Sequence, residues 1–262
     1  MSEEELILYE VDKRIATITI NRPDKAHAFN YPMLKKMHES LLKADENENV
    51  KYIILKSTGE RFFSAGYDLK AVMGSREEMA NVLEWGRKVN ETMLFMKKPI
   101  IAQVKGIAVG LGVLLIMGAD LRIFADRPKE ELYLKLPEVE ISAFPQTGAT
   151  LLTLFAFGHS YGKQLLLTSE KVGIEELKNI NFISKIVPLD KIDEETLAFV
   201  KPLVKCQKEF IFFAKTMLTI MGKGYARRLF DLEEDCGAFT YSGKKSMKEL
   251  DDFIEELYKK YV

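Results

Sequence analysis

Gly106-Ile-Ala-Val-Gly-Leu-Gly-Val-Leu-Leu-Ile-Met-Gly-Ala-Asp120, taken with the earlier Phe62-Phe-Ser-Ala-Gly-Tyr-Asp-Leu-Lys70, decides how this chain reads. Each stretch follows an apolar, strand-like run (Ile100 to Val104 and Tyr52 to Leu55) and leads into a helix-like one. Glycine admits positive φ and a close approach of backbone to ligand. Two such turns, if neighbours in space, could aim two backbone N–H groups at one oxygen and stabilise the negative charge that develops there.

Composition narrows the field. The 262 residues suit one large domain or a core with an accessory segment, and 47% hydrophobic content is enough for a full core. With 38 basic and 39 acidic residues the net charge is −1, which lacks the electrostatic footprint of nucleic-acid binding. Cys206 and Cys236 have no metal-ligand spacing and read as small buried hydrophobes in a reducing compartment. No metal site is expected. The opening Met-Ser-Glu-Glu-Glu is acidic where a targeting segment would be basic. The longest uncharged apolar stretch, between Lys105 and Asp120, is too short to span a membrane, so a cytoplasmic location is expected.

Leu6 to Tyr9 and Arg14 to Ile20 predict a hairpin turning through Val11-Asp12-Lys13. Asn30 is placed to cap a helix running to about Ala44, with Met33, Leu34, Met37 and Leu41 on its buried face. Ser75-Arg-Glu-Glu78 has the form of a capping box, opening a helix that Pro99 stops. Strands over Tyr52–Leu55, Ile100–Val104 and Leu121–Phe124 alternate with helices, which implies parallel crossover units in an α/β fold. Helices follow over Thr150–Phe157, Gly162–Leu167 and Ile174–Leu177, with Asn181 as a left-handed terminator and a short strand Ile183–Val187. From about Glu195 the pattern is helical throughout. The division falls near residue 200, giving a core over 1–200 and a helical region over 201–262.

Gly158-His-Ser-Tyr-Gly162 matches the G-x-S-x-G nucleophile elbow. That motif needs a strand before it and a histidine after it. Here a helical run precedes it and all three histidines, His27, His38 and His159, lie before Ser160, so a helix–helix turn is the better reading. The remaining chemistry rests on carboxylates. Glu138 and Glu140 stand in Leu136-Pro-Glu-Val-Glu-Ile-Ser-Ala-Phe-Pro145, and would face one way if that segment were extended. Considered by spacing alone, either could be a solvated surface residue.

Five stretches in order resemble the crotonase (enoyl-CoA hydratase/isomerase) superfamily: Ile18 to Asn30, Phe62 to Lys70, Pro99 to Asp120, Leu136 to Thr150, and Leu165-Leu-Leu-Thr168 through Val187-Pro188. The resemblance implies a crotonase-like spiral of ββα turns with a C-terminal helical region, assembled as a homotrimer or hexamer. It places the oxyanion-hole donors at the backbone N–H groups of Tyr67 and Leu111, and the catalytic carboxylate at Glu138. It puts coenzyme A, part of the substrate and not a separate cofactor, against Lys25, Ala26, Ala28, Ala65, Asp68 and Leu69. Lys215, Lys259 and Lys260 are weaker phosphate candidates. Apolar Val113, Leu114 and Phe144 would surround Glu138, and Val72, Met73, Trp85 and Phe144 would shape the acyl cavity.

The departures from the family pattern carry the functional argument. Hydratases of the family use two glutamates; the second position is Leu114 here, and a third acidic position of some members is Gln146. Water addition needs two proton-handling groups, whereas moving a double bond needs one base that takes a proton from C2 and returns it at C4. The first reading is therefore a Δ3-to-Δ2 enoyl-CoA isomerase of fatty acid metabolism with a single glutamate base. A hydratase, or another CoA-thioester lyase or hydrolase working through the same enolate, stays open, with Glu140 or Gln146 assisting water. So does a non-catalytic acyl-CoA-binding protein.

Overall fold

A computed structural model describes residues 3–220 and 222–261. In chain order it contains α1 (Glu3–Leu6), β1 (Ile7–Asp12), β2 (Ile15–Ile20), α2 (Tyr31–Glu46), β3 (Tyr52–Ser57), β4 (Phe62–Ser64), α3 (Leu69–Val72), α4 (Arg76–Phe95), β5 (Ile100–Val104) and β6 (Ile107–Val109). Then come α5 (Leu111–Gly118), β7 (Leu121–Ala125), β8 (Leu134–Lys135), α6 (Ala149–Thr168), α7 (Ile174–Asn179), β9 (Lys185–Val187), α8 (Ile192–Leu203), α9 (Lys208–Ile220), α10 (Lys223–Tyr241) and α11 (Met247–Tyr261).

Two sheets organise the core. The larger has the order β1-β2-β3-β5-β7-β9, antiparallel only in the first pair, and the smaller has the parallel order β4-β6-β8. Three successive turns of chain each lay a strand on the large sheet, then one on the small sheet, then a helix: β3-β4-α4, β5-β6-α5 and β7-β8-α6. This is the ββα spiral that the crotonase resemblance implies, built from the parallel crossover units that the strand and helix order predicts. β5 is buried at every residue, as a parallel strand covered on both faces must be.

The local signals act as their chemistry predicts. The Asn30 side chain accepts from Met33 N–H at the start of α2, whose Met33, Leu34, Met37 and Leu41 are buried. Ser75 and Glu78 form a reciprocal capping box on α4. Asn181 is left-handed, at φ 57°. The hairpin turns slightly later than expected: Val11 and Asp12 belong to β1, and the turn lies at Lys13-Arg14, both with positive φ, the backbone twist that suits flanking right-twisted strands. The helices predicted on either side of Gly158 run together as α6, with Gly158 as a non-helical break inside it and Ser160 exposed. No strand precedes that serine, so the elbow does not form. After β9 the described residues contain helices and no strand, and the division near residue 200 falls within α8. Cys206 is exposed and Cys236 partly so, against the expectation of burial. No helix among the described residues is long and apolar enough to cross a membrane.

Candidate active site

The small sheet brings the candidate residues together. β4, β6 and β8 are parallel neighbours, so their carboxyl ends lie on one edge of the molecule's core. β4 runs into Ala65-Gly66-Tyr67, β6 into Gly110-Leu111, and β8 into Leu136-Pro137-Glu138. The middle strand's turn is touched from both sides. A Cβ added at Gly66 would lie 2.7 Å from the Val109 carbonyl oxygen and 3.3 Å from the Leu111 nitrogen, and one at Gly110 would lie 3.4 Å from Glu138 Oε1. Gly66 also has φ +89°, so only glycine serves there without strain.

Two backbone donors are left over in this geometry. Phe29 pairs with Tyr67 as an isolated parallel bridge, in which Phe29 N–H donates to Gly66 and Asp68 N–H donates to Phe29. The Tyr67 N–H therefore points away from Phe29. Leu111 N–H opens α5, an eight-residue helix buried at every position, whose positive end is shielded from water. Neither N–H meets an acceptor among the described residues. Leu114, one turn into α5, is buried.

Glu138 is mostly enclosed, and its Oε2 is buried with no hydrogen-bond partner among the described residues. Burial pushes its carboxyl up to about 7, opposed only by a hydrogen bond from its own backbone N–H. Glu140 does not face the same way, because the segment turns instead of extending: Ile141 N–H donates to Pro137, and Ala143 N–H to Glu138. The Glu140 carboxylate points to solvent and pairs with Lys135 at 2.6 Å. Gln146 presses its amide against Gly237 of α10. Phe144 is half-buried, and its N–H donates to the Tyr241 hydroxyl oxygen at 3.1 Å.

The residues expected along coenzyme A also converge. Ala65 N–H donates to Ala26, and Arg22 reaches both the Ala28 carbonyl and the Asp68 carboxylate, each at 2.8 Å. Asp68 also caps α3 through Lys70 N–H, and Leu69 beyond it is exposed. Lys25 is exposed beside Ala26, which is left-handed. His27 is a satisfied interior group: Nδ1 accepts from Arg22 N–H, which leaves Nε2–H to donate to the Thr58 carbonyl, and burial lowers its pKa. Three further candidates have partners within the chain. Lys215 is buried against the Met93 and Lys98 carbonyls and Asp120. Lys260 is paired with Asp235. Trp85 packs edge-on against Tyr31 and His38 of α2.

A polar cluster behind the first turn carries no sequence signature. The Tyr67 hydroxyl donates to Thr147 Oγ1 at 2.9 Å, Asn90 Nδ2 donates to the Thr147 carbonyl at 2.7 Å, and the buried Glu233 carboxylate accepts from Gly148 N–H at 2.6 Å and Thr150 N–H at 2.8 Å. Burial first, then the Glu138 and Glu233 carboxylates, hold the Tyr67 phenol above its ordinary pKa, against the Thr147 hydrogen bond. These partners lie 57 to 85 positions apart, so only folding reveals them. No group of three or more His, Cys, Asp or Glu among the described residues is placed to hold a metal ion.

Comparison with known proteins agrees with this architecture. The enoyl-CoA hydratase/isomerase family model matches residues 10–261. The crotonyl-CoA hydratase of Syntrophomonas wolfei is 31% identical over 193 residues, 73% of this chain and 72% of that protein. The short-chain-enoyl-CoA hydratase of Clostridium acetobutylicum is 30% identical over 187 residues, 69% and 68% of the two chains. The crystal structure of the Bacillus anthracis enoyl-CoA hydratase superposes with a TM-score of 0.77 over 96% of both chains at 24% identity, a likeness of fold. A family match that spans both the spiral and its helical tail leaves one assignment: the chain belongs to the enoyl-CoA hydratase/isomerase family and is a crotonase-type enzyme.

Proposed function

We propose that this chain is a Δ3-to-Δ2 enoyl-CoA isomerase in which Glu138 is the single base and the N–H groups of Tyr67 and Leu111 form the oxyanion hole. The observation that carries the reading is the lone buried carboxylate at the small sheet's edge. Glu138 is unpartnered at Oε2, Glu140 is turned out to Lys135, and the buried position on α5 is Leu114. The other buried carboxylate, Glu233, is taken up by the start of α6.

In this mechanism the thioester oxygen accepts from both N–H groups, the second reinforced by the positive end of α5. Glu138 takes a proton from C2, the negative charge spreads onto the thioester oxygen as a dienolate, and the same carboxyl returns the proton at C4. A pKa near 7 suits both halves of that cycle, since a carboxylate that binds its proton too weakly cannot take it from C2 and one that binds it too tightly cannot return it at C4. The acyl-CoA thioester would lie along Ala26, Ala28, Ala65, Asp68 and Leu69, with Lys25 as a point charge for phosphate oxygens. The non-protein group required is the substrate's own coenzyme A. Exposed apolar side chains on α9 and α11 support assembly into trimers or hexamers.

The relatives named as hydratases favour a second reading, water addition to a 2-enoyl thioester. Incubation with 3-hexenoyl-CoA and with crotonyl-CoA separates the two. Conjugation of the first without gain of mass, lost in Glu138→Gln, supports the isomerase; gain of one water by the second establishes the hydratase and requires a second proton-handling group.

A further inference from the structure

The Tyr67 side chain does something its backbone role does not require. From the first turn its ring passes under α4, where Gly86 makes room: a Cβ at Gly86 would come 2.0 Å from the Tyr67 hydroxyl oxygen and 2.9 Å from the ring carbon that bears it. The hydroxyl is then fastened to Thr147 Oγ1. Thr147 is itself held by Asn90 through its carbonyl, so the ring's far end is anchored to two elements. Thr147 also borders a cavity of about 190 Å³ between α4 and α10, lined by apolar Leu83 and Phe230 and by Glu84, Arg87, Gln146 and Glu234. One water needs only ~10–15 Å³ of such space. Arg87 holds Glu91, Asp231 and Glu234, and Glu84 holds Lys88, so these charges are paired and Leu83 and Phe230 supply the apolar surface for an entering group.

We propose that Tyr67 limits the acyl-chain length that the enzyme accepts, its ring forming the end wall of the acyl channel and separating it from the cavity between α4 and α10. The inference rests on the reading of this site as one for CoA thioesters. An acyl chain whose carbonyl lies on the Tyr67 N–H and whose C2 and C4 lie at Glu138 runs between those two residues. Glu138 and the turn that carries Tyr67 flank the Gly110-Leu111 turn from opposite sides, a Cβ at Gly110 lying 3.4 Å from Glu138 Oε1 and one at Gly66 lying 3.3 Å from the Leu111 nitrogen. Carbons beyond the reacting ones then meet the ring. Short acyl chains fit; longer ones need the volume that the ring and Thr147 close off.

Binding of saturated acyl-CoAs from butyryl to decanoyl, measured by calorimetry, tests this without depending on turnover. The wild-type chain is expected to lose affinity as the acyl group lengthens, and Tyr67→Phe to keep that profile because the ring remains. In Tyr67→Leu and Tyr67→Ala, affinity should rise with length by about four-fold per methylene until the cavity fills, shifting the decanoyl-to-butyryl ratio by about ten-fold or more. The leucine variant keeps bulk in the core should the alanine variant fold poorly. An unchanged ratio in both, with butyryl-CoA still bound, overturns the wall while leaving the CoA site standing, and a phenylalanine variant that behaves like alanine overturns the role of ring volume. Failure of every form to bind any acyl-CoA removes the thioester reading, and the wall with it.

Discussion

Glu138 combines a functional advantage with a stability cost, and both follow from its unpartnered burial. Burial pushes its carboxyl up to about 7, and the proposed base is its deprotonated form, so kcat/KM for the 3-enoyl thioester should fall about tenfold per pH unit below that value, and a pH–rate profile checks it. The folded-state pKa lies above the unfolded value, so the native chain holds a proton that the unfolded chain releases between pH 4.5 and about 7. Stability from this group is therefore present below pH 4.5 and is lost as pH rises through 7. Glu138→Gln should accordingly be more stable than wild type at pH 8, by up to about 3 kcal/mol, and no more stable at pH 4. Urea unfolding at the two pH values measures the difference, and a gain that does not depend on pH would count against the assignment. Gly66 is the residue-scale counterpart for the proposed oxyanion hole. Alanine there meets the Val109 carbonyl at a φ it resists, so Gly66→Ala should move the Tyr67 N–H and cost about 100-fold or more in kcat, the effect of losing one donor.

At the scale of elements, three short parallel strands do what no helix in the chain can. β4, β6 and β8 are three, three and two residues long, yet their pairing sets Tyr67, Leu111 and Glu138 side by side. α6 begins beside them without a capping side chain of its own, at Gly148, and Glu233 of α10 supplies the missing acceptor from 85 positions away. Glu233→Ala would strand the Gly148 and Thr150 donors in a buried place and should cost about 3 kcal/mol, with Glu233→Gln costing less because an amide oxygen can still accept. Equilibrium unfolding of the two variants distinguishes this cap from a merely tolerated buried acid, for which they would behave alike. Buried Lys215 serves the other end of the same layer, giving its charge to the Met93 and Lys98 carbonyls near the end of α4 and to Asp120.

For the molecule as a whole, the spiral buries its own core while the helical tail does not finish burying itself. Phe210, Phe213, Met217, Leu218 and Ile220 of α9 are more than half exposed, and Met247 and Tyr258 of α11 stand out likewise. Apolar surface of this extent marks a protein interface. Sedimentation should give a trimer or hexamer, and Leu218→Glu, which places a charge where 84% of the residue is now open to contact, should shift it toward monomer. A wild-type chain that sediments as a monomer would remove the assembly from the account.

What the chain's residues determined alone were the local decisions. The Asn30 cap, the Ser75–Glu78 box, the apolar face of α2 and the β-branched strands of the large sheet depend on neighbours a few positions away, and those interactions are written in spacing. The two glycine turns were legible for the same reason, whereas the choice of Tyr67 and Leu111 as the expected donors came from the family resemblance. Tertiary structure decided the rest because its causes are distant in sequence. The small sheet's strands are too short to show a period, so their alignment appears only when the spiral stacks them. Glu138 and Glu140 look alike two positions apart, yet the turn after Pro137 buries one carboxylate and releases the other to Lys135. Burial, which pushes the Glu138 carboxyl toward neutrality and raises the Tyr67 phenol, is a property of what surrounds a side chain, and those surroundings come from strands and helices that meet only in the folded molecule.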